Sequence, residues 1–360
     1  MASTLHENIS LLMCLKRNTS CVRVKVVWIS EGIPIDKMLF GMMIMGEMVH
    51  PLPGAYLDVV LSEPVPILYI FSLLSTVRVF GQKRRKIPMT YSTHMSQSEQ
   101  KSVAVPGGML SYEVAGHGPI VLCLPSLGDT RREYDRLVPV LVEQGYRVIT
   151  TDLRGMGQSQ GHFKTHTVAD LANDINVILD AERVEQAFLL GCSISGASAG
   201  LFAVEHPERV RALVLFSPLM RTGSRFSAFL LSTVLRLPGI GSLVWANYFK
   251  SLYPSHPVEQ EYLEHIRKAA KQPGAKKSIA DMSAAPRIDT QIASIHVPTL
   301  VYFGTKDPDF KDVRAEAEQL HREIPQADIR VLEGIGHYPQ REDAEYVVPE
   351  LVAWLHAQIA

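Results

Sequence analysis
Serine, aspartate and histidine are the side chains from which a protein can build a nucleophile, a base and a group that orients the base. This sequence carries one of each after an expected strand: Ser193 after Ala187 to Leu190, Asp307 after Thr299 to Phe303, and His337 after Asp328 to Leu332. Together they could move an acyl group onto a serine hydroxyl and then onto water. Taken singly each has a plainer explanation. Ser193 could cap the helix that follows it, Asp307 could form a turn before Pro308, and His337 could be a loop histidine held by backbone. Their joint placement is what counts, because the strands of a parallel sheet all end on one edge, where ligands bind. The histidines at 206, 256, 265 and 296 do not follow a final core strand; the first closes a helix and the others fall in or beside an inserted segment.

The stretch Leu189-Leu190-Gly191-Cys192-Ser193-Ile194-Ser195-Gly196-Ala197 reads as a strand, a sharp turn and a helix. Small residues at Gly191, Ser195 and Gly196 suit a turn that packs its neighbours close. It resembles the nucleophile elbow of the α/β-hydrolase family, Gly-x-Ser-x-Gly, with Ser195 where the last glycine usually stands. The order Ser193, Asp307, His337 is the order of that family, and Asp152-Leu153-Arg154-Gly155-Met156-Gly157-Gln158-Ser159 resembles its Asp-x-Arg-Gly-x-Gly-x-Ser loop. The resemblance covers about residues 108–360.

The resemblance implies Ser193 as nucleophile, His337 as acid and base, and Asp307 as orienter. Backbone amides of Ile194 and Leu127 would form the oxyanion hole. Leu127 belongs to Pro125-Ser126-Leu127-Gly128-Asp129, where the family usually carries His-Gly, so this loop departs from the pattern. The implied reaction is hydrolysis of an ester or thioester of a small to middle-sized apolar molecule, with no metal or organic cofactor. A carbon–carbon bond hydrolase, an acyltransferase and a non-catalytic ligand-binding receptor of the same fold are the alternatives. An aspartate nucleophile, as in related dehalogenases and epoxide hydrolases, is disfavoured by Ser193.

The elements that would position these residues alternate. Strands are expected at Met109 to Val114, Ile120 to Leu124, Arg147 to Thr151, the elbow strand, Ala212 to Phe216, Thr299 to Phe303 and Asp328 to Leu332. The first two read as an opening hairpin. Helices are expected at Asp135 to Gln144, Val168 to Ala181, Ala197 to Glu205, Val313 to Glu323 and Glu345 to Ile359. Such alternation implies a mostly parallel sheet with helices on both faces. Residues 219–296 interrupt it and read as a small helical cap between core segments 102–218 and 297–360. The cap holds Phe226, Phe229, Leu230, Val234, Leu235, Trp245, Tyr248, Phe249 and Tyr253. Most of these would dock the cap, whereas Trp245, Tyr248 and Phe249 are candidates for the pocket wall.

Residues 1–101 read differently, as an irregular extension with Met-rich patches and no sustained period, and residues 1–94 are expected to be dispensable for folding and catalysis. Met95 and the polar lead after it would make an ordinary amino terminus, so the upstream residues could also come from a mistaken gene start. Val65 to Phe80 followed by Lys83-Arg84-Arg85-Lys86 invites a membrane reading, but the run is shorter than the roughly 20 apolar residues of a span. Membrane contact through residues 65–86 is therefore not favoured. Of 360 residues 46% are hydrophobic, and the formal net charge is -1, so the balance points to a small-molecule partner and away from nucleic acid. Cys14, Cys21, Cys123 and Cys192 have neither metal spacing nor a disulfide framework, and a cytoplasmic location is expected.

Overall fold
The computed structural model describes residues 98–223, 233 and 241–359, together with the backbone of four earlier strands. Those strands are β1 (Asn8–Cys14), β2 (Cys21–Ile29), β3 (Gly41–Met48) and β4 (Asp58–Val60). They form an antiparallel sheet in that order, within a compact unit running from Met1 to Lys83. Val22, Val24 and Val26 alternate with Arg23 and Lys25, a period of two that suits a strand with one apolar face. Residues 65–86 and the cap residues Phe226, Phe229, Leu230, Val234 and Leu235 lie outside the described residues. No described helix is long and apolar enough to cross a membrane.

The second unit, Arg84–Ala360, is built on an eight-stranded sheet. Its strands are β5 (Glu99–Val105), β6 (Gly108–Ala115), β7 (Ile120–Leu124), β8 (Arg147–Thr151), β9 (Ala187–Cys192), β10 (Val210–Phe216), β11 (Thr299–Gly304) and β12 (Asp328–Leu332). They lie in the order β12-β11-β10-β9-β7-β8-β6-β5. Pairing is parallel from β12 through to β8 and antiparallel at β8/β6 and β6/β5. The opening hairpin is therefore β5 with β6, not β6 with β7. β5 is missed in the sequence because it is an edge strand: Glu99, Gln100 and Ser102 face solvent, and such a strand reads as a polar loop. A division of the chain after Lys101 passes through it.

Helices α1 (Val138–Glu143), α2 (Val168–Ala181), α3 (Ile194–Glu205), α7 (Val313–Glu323) and α9 (Ala344–Ala357) alternate with the strands, a one-turn α8 (Pro339–Glu342) precedes α9, and α4 (Gly241–Ser251), α5 (Gln260–Ala269) and α6 (Ala275–Ala284) make the cap between β10 and β11. α2 starts on a reciprocal cap: the Thr167 hydroxyl accepts from the Asp170 amide while the Asp170 carboxylate accepts from the Thr167 amide. Its apolar face, Val168, Leu171, Ile175, Ile178 and Leu179, is buried. α3 is buried over almost its whole length, which its small residues Gly196, Ala197, Ala199 and Gly200 permit. β9, fully buried, is flanked by β7 and β10. From β7 the chain goes one way to β8 and then crosses back to β9, so the carboxyl ends of β7 and β9 border the switch point where sheets of this kind open a crevice.

The second unit's sheet is complete from Glu99 onward. A chain starting at Met95 is expected to be soluble, to melt cooperatively in a thermal scan and to keep the activity of the full chain. An insoluble or inactive product would show that residues 1–94 are needed by the second unit.

Candidate active site
Ser193 stands between β9 and α3 with φ 58° and ψ −121°, a conformation that L-residues avoid and that costs on the order of 1–3 kcal/mol. Its backbone holds it there. The amide donates to Phe216 O at 2.9 Å, and the carbonyl accepts from Gly196 N at 3.0 Å and Leu219 N at 2.9 Å. Two glycines make room. A Cβ at Gly191 would sit 2.6 Å from Ser195 O, and one at Gly196 would sit 2.6 Å from the Pro218 side chain. The close approach that the family pattern handles at the position of Ser195 is thus taken by Gly196. Ser195 is free to do something else: its hydroxyl donates to Pro125 O at 2.5 Å and ties the elbow to the loop after β7.

That loop carries Leu127. Ser126 O accepts from Asp129 N at 3.2 Å, closing a turn whose third residue, Gly128, has φ +74°, as a type II turn requires. A side chain there would also strike the Trp245 ring, 2.2 Å from an ideal Cβ. Behind the turn, Glu133 is buried. It accepts from Ser126 N at 2.7 Å and Gln340 Nε2 at 2.9 Å, and so joins the Leu127 loop to the segment after His337. Tyr338 adds a second tie, its hydroxyl 2.5 Å from Ser126 Oγ. Burial pushes the carboxyls of Glu133 and Asp129 up, against the bonds they accept from Ser126 and Thr130. No local pattern marks Glu133, which sits in a charged run, Arg131-Arg132-Glu133, that reads as a solvated surface.

Asp307 and His337 meet at the carboxyl ends of neighbouring strands β11 and β12. His337 Nδ1 lies 2.7 Å from Asp307 Oδ2, with both side chains buried. This bond occupies Nδ1, so a proton transfer by the ring would use Nε2. Burial alone would lower the pKa of His337, but the charge and hydrogen bond of Asp307, with Asp309 and Glu133 behind it, outweigh burial and raise it to about 9. Cys192, adjacent to Ser193, is no rival nucleophile: burial and the Glu133 charge push its thiol up. Ile194 is the first residue of α3, where a helix leaves its amides without internal partners.

The three cap candidates fall differently. Phe249 is fully buried among the rings of Tyr253, Tyr262 and Tyr338, at 5.6, 6.1 and 5.4 Å, and joins the cap to the core. Trp245 covers Gly128, and its buried Nε1 has no protein partner. Tyr248 donates its hydroxyl to Asp309.

The family model described as the α/β hydrolase fold matches residues 119–344, more than half of the chain. The chain belongs to the α/β-hydrolase fold family. A 2-hydroxy-6-oxononadienedioate/2-hydroxy-6-oxononatrienedioate hydrolase of Burkholderia vietnamiensis is 30% identical over 230 residues, covering 59% of this chain and 77% of that protein. A 3-oxoadipate enol-lactonase of Acinetobacter baylyi is 26% identical over 230 residues, 62% of this chain and 85% of its own. Among solved structures, a thermophilic esterase from Thermogutta terrifontis superposes with a TM-score of 0.62 at 26% identity, covering 73% of this chain and 99% of that one. As a member of this family the protein is a hydrolase.

Ser195→Ala leaves the Pro125 carbonyl without its buried donor and is expected to lower stability by about 1–3 kcal/mol in urea denaturation. A smaller loss, equal to that of Ser193→Ala, would mean the elbow does not depend on this tie.

Proposed function
We propose that the protein hydrolyses an ester or thioester of a small to middle-sized apolar molecule through an acyl-enzyme on Ser193. The observation that carries the reading is the buried 2.7 Å pair of His337 Nδ1 and Asp307 Oδ2, on the same sheet edge as the strained Ser193 turn. Ser193 Oγ attacks the substrate carbonyl and gives its proton to His337 Nε2. Asp307 stabilises the imidazolium and keeps the ring in the tautomer that leaves Nε2 to act as base. The oxyanion accepts from the amides of Ile194 and Leu127. His337 then passes its proton to the leaving alkoxide or thiolate, and water, deprotonated by the same nitrogen, releases the acyl group.

The Leu127 amide is a backbone donor, so the departure from the family's His-Gly leaves its role unaffected while the turn is held, and Glu133, Tyr338 and Ser195 all hold it. The apolar wall is contributed by the cap, with Trp245 over the turn. A relative named as a 2-hydroxy-6-oxononadienedioate hydrolase favours a second reading, in which such a compound is the substrate.

The test is a kinetic panel of p-nitrophenyl esters of graded acyl length, run beside 2-hydroxy-6-oxononadienedioate. Turnover is expected with the esters, to vanish in Ser193→Ala, and to fall on the order of 10⁴-fold in His337→Ala. Because His337 must be neutral to act as base and its pKa is raised to about 9, kcat/KM should climb with pH through the neutral range, with a midpoint well above 6.5. Turnover of the dienedioate with silent esters would favour the second reading. Full ester activity in Ser193→Ala would overturn both.

A further inference from the structure
We propose that Asp309 is a second carboxylate on the catalytic histidine: a positioning residue that shares with Asp307 the hold on the imidazole, and that the cap keeps in place through Tyr248. The inference rests on the reading of His337 as acid and base.

Two residues after Asp307, the loop beyond β11 turns back on itself, and the amide of Asp309 donates to Asp307 Oδ1 at 3.0 Å. That contact brings Asp309 Oδ2 to 3.6 Å from His337 Nδ1, the nitrogen already bonded to Asp307 Oδ2 at 2.7 Å. A separation of 3.6 Å is too long for a hydrogen bond, so Asp309 acts there through its charge. Its surroundings make the charge effective, since its side chain is 17% exposed and that of His337 2%. Asp309 Oδ1 is occupied by the Tyr248 hydroxyl. Tyr248 stands on α4, so the cap reaches the acid–base group through one side chain. Burial, with the Asp309 charge after it, pushes the Tyr248 phenol up and keeps it a neutral donor.

The groups facing His337 can be named. Asp307 and Asp309 come from the loop after β11, and the charge of Glu133 acts from the loop after β7. The Tyr338 ring stands edge-on at 5.3 Å, and Leu252 O, just beyond α4, accepts from the His337 amide at 2.9 Å. Asp309 is the only one of the three carboxylates with a bond to the cap among these contacts. Two consequences follow. With both carboxylates present the imidazolium formed during reaction is stabilised twice, and with Asp307 neutralised a carboxylate remains beside Nδ1.

The test uses the full chain with ¹⁵N-labelled histidine. The His337 resonances are assigned by their loss in His337→Gln, and the ring is titrated by NMR in wild type, Asp309→Asn and Tyr248→Phe. Asp309→Asn is expected to lower the His337 midpoint by about 1 pH unit. Tyr248→Phe keeps the carboxylate but releases it from the cap, so the midpoint should fall, by less than in Asp309→Asn. Should Asp309→Asn fail to fold, Asp309→Ser gives the same readout. Ester kinetics add the second arm: kcat/KM of Asp307→Asn should stay about tenfold or more above that of Asp307→Asn/Asp309→Asn. An unmoved midpoint in folded Asp309→Asn, an unmoved or raised midpoint in Tyr248→Phe, or equal rates for the single and double variants would each overturn the proposal. If wild type cleaves no ester yet the midpoint falls in Asp309→Asn, the hold of Asp309 on His337 stands and the ester reading fails.

Discussion
The strained backbone of Ser193 is the constraint around which the second unit is arranged. A serine at φ 58° would relax into an ordinary helix start if its neighbours allowed it. They do not. Its amide is bound to the end of β10 and its carbonyl to Gly196 and Leu219, while Gly191 and Gly196 permit approaches that any Cβ would forbid. The cost is offset by the surrounding burial: β9 and most of α3 are inaccessible, and two of the contacts that fix the turn come from buried residues, Phe216 at the end of β10 and Gly196 in α3. The result is a hydroxyl presented at the carboxyl edge of a central strand with little freedom to move.

A second feature depends on this one. The chain places its acidic and basic groups in a dry region, where an unpaired charge would be costly. Asp307 is acceptable there because it accepts from His337 and from the Asp309 amide, and Glu133 because Ser126 and Gln340 donate to it. These bonds join the loop after β7, the loop after β11 and the segment after β12. Three loops far apart in sequence are thus held in one geometry by buried polar contacts, while apolar packing of Phe249 and Trp245 seats the cap above them. Polar bonds give direction and the aromatic cluster gives adhesion.

Much of this was legible in the sequence, for a physical reason. Parallel strands buried on both faces must be continuously apolar, so the runs before Ser193 and Asp307 stand out, and a parallel sheet leaves their ends on one edge with that of β12, an edge strand of mixed composition. What was not legible lies where burial and composition part company. β5 is regular but polar, because an edge strand faces water. Glu133 is acidic but buried, because Ser126 in the loop after β7 and Gln340 in α8, 7 and 207 residues away in sequence, donate to it. The link from Tyr248 to Asp309 joins residues 61 apart, and no local pattern marks it. Ser195 looked like a tolerated replacement for glycine, whereas its hydroxyl has a partner in Pro125 and the need for glycine has moved one position along.

The role proposed for the strained turn is to make Ser193, and no neighbouring serine, the group that attacks substrate. Labelling the native protein with a fluorophosphonate probe, followed by peptide mapping in a mass spectrometer, tests this directly. A single adduct on Ser193 is expected, lost in His337→Ala, whose serine lacks its base. An adduct on Ser195 or Ser126, both of which have their hydroxyls committed to other bonds, would contradict it.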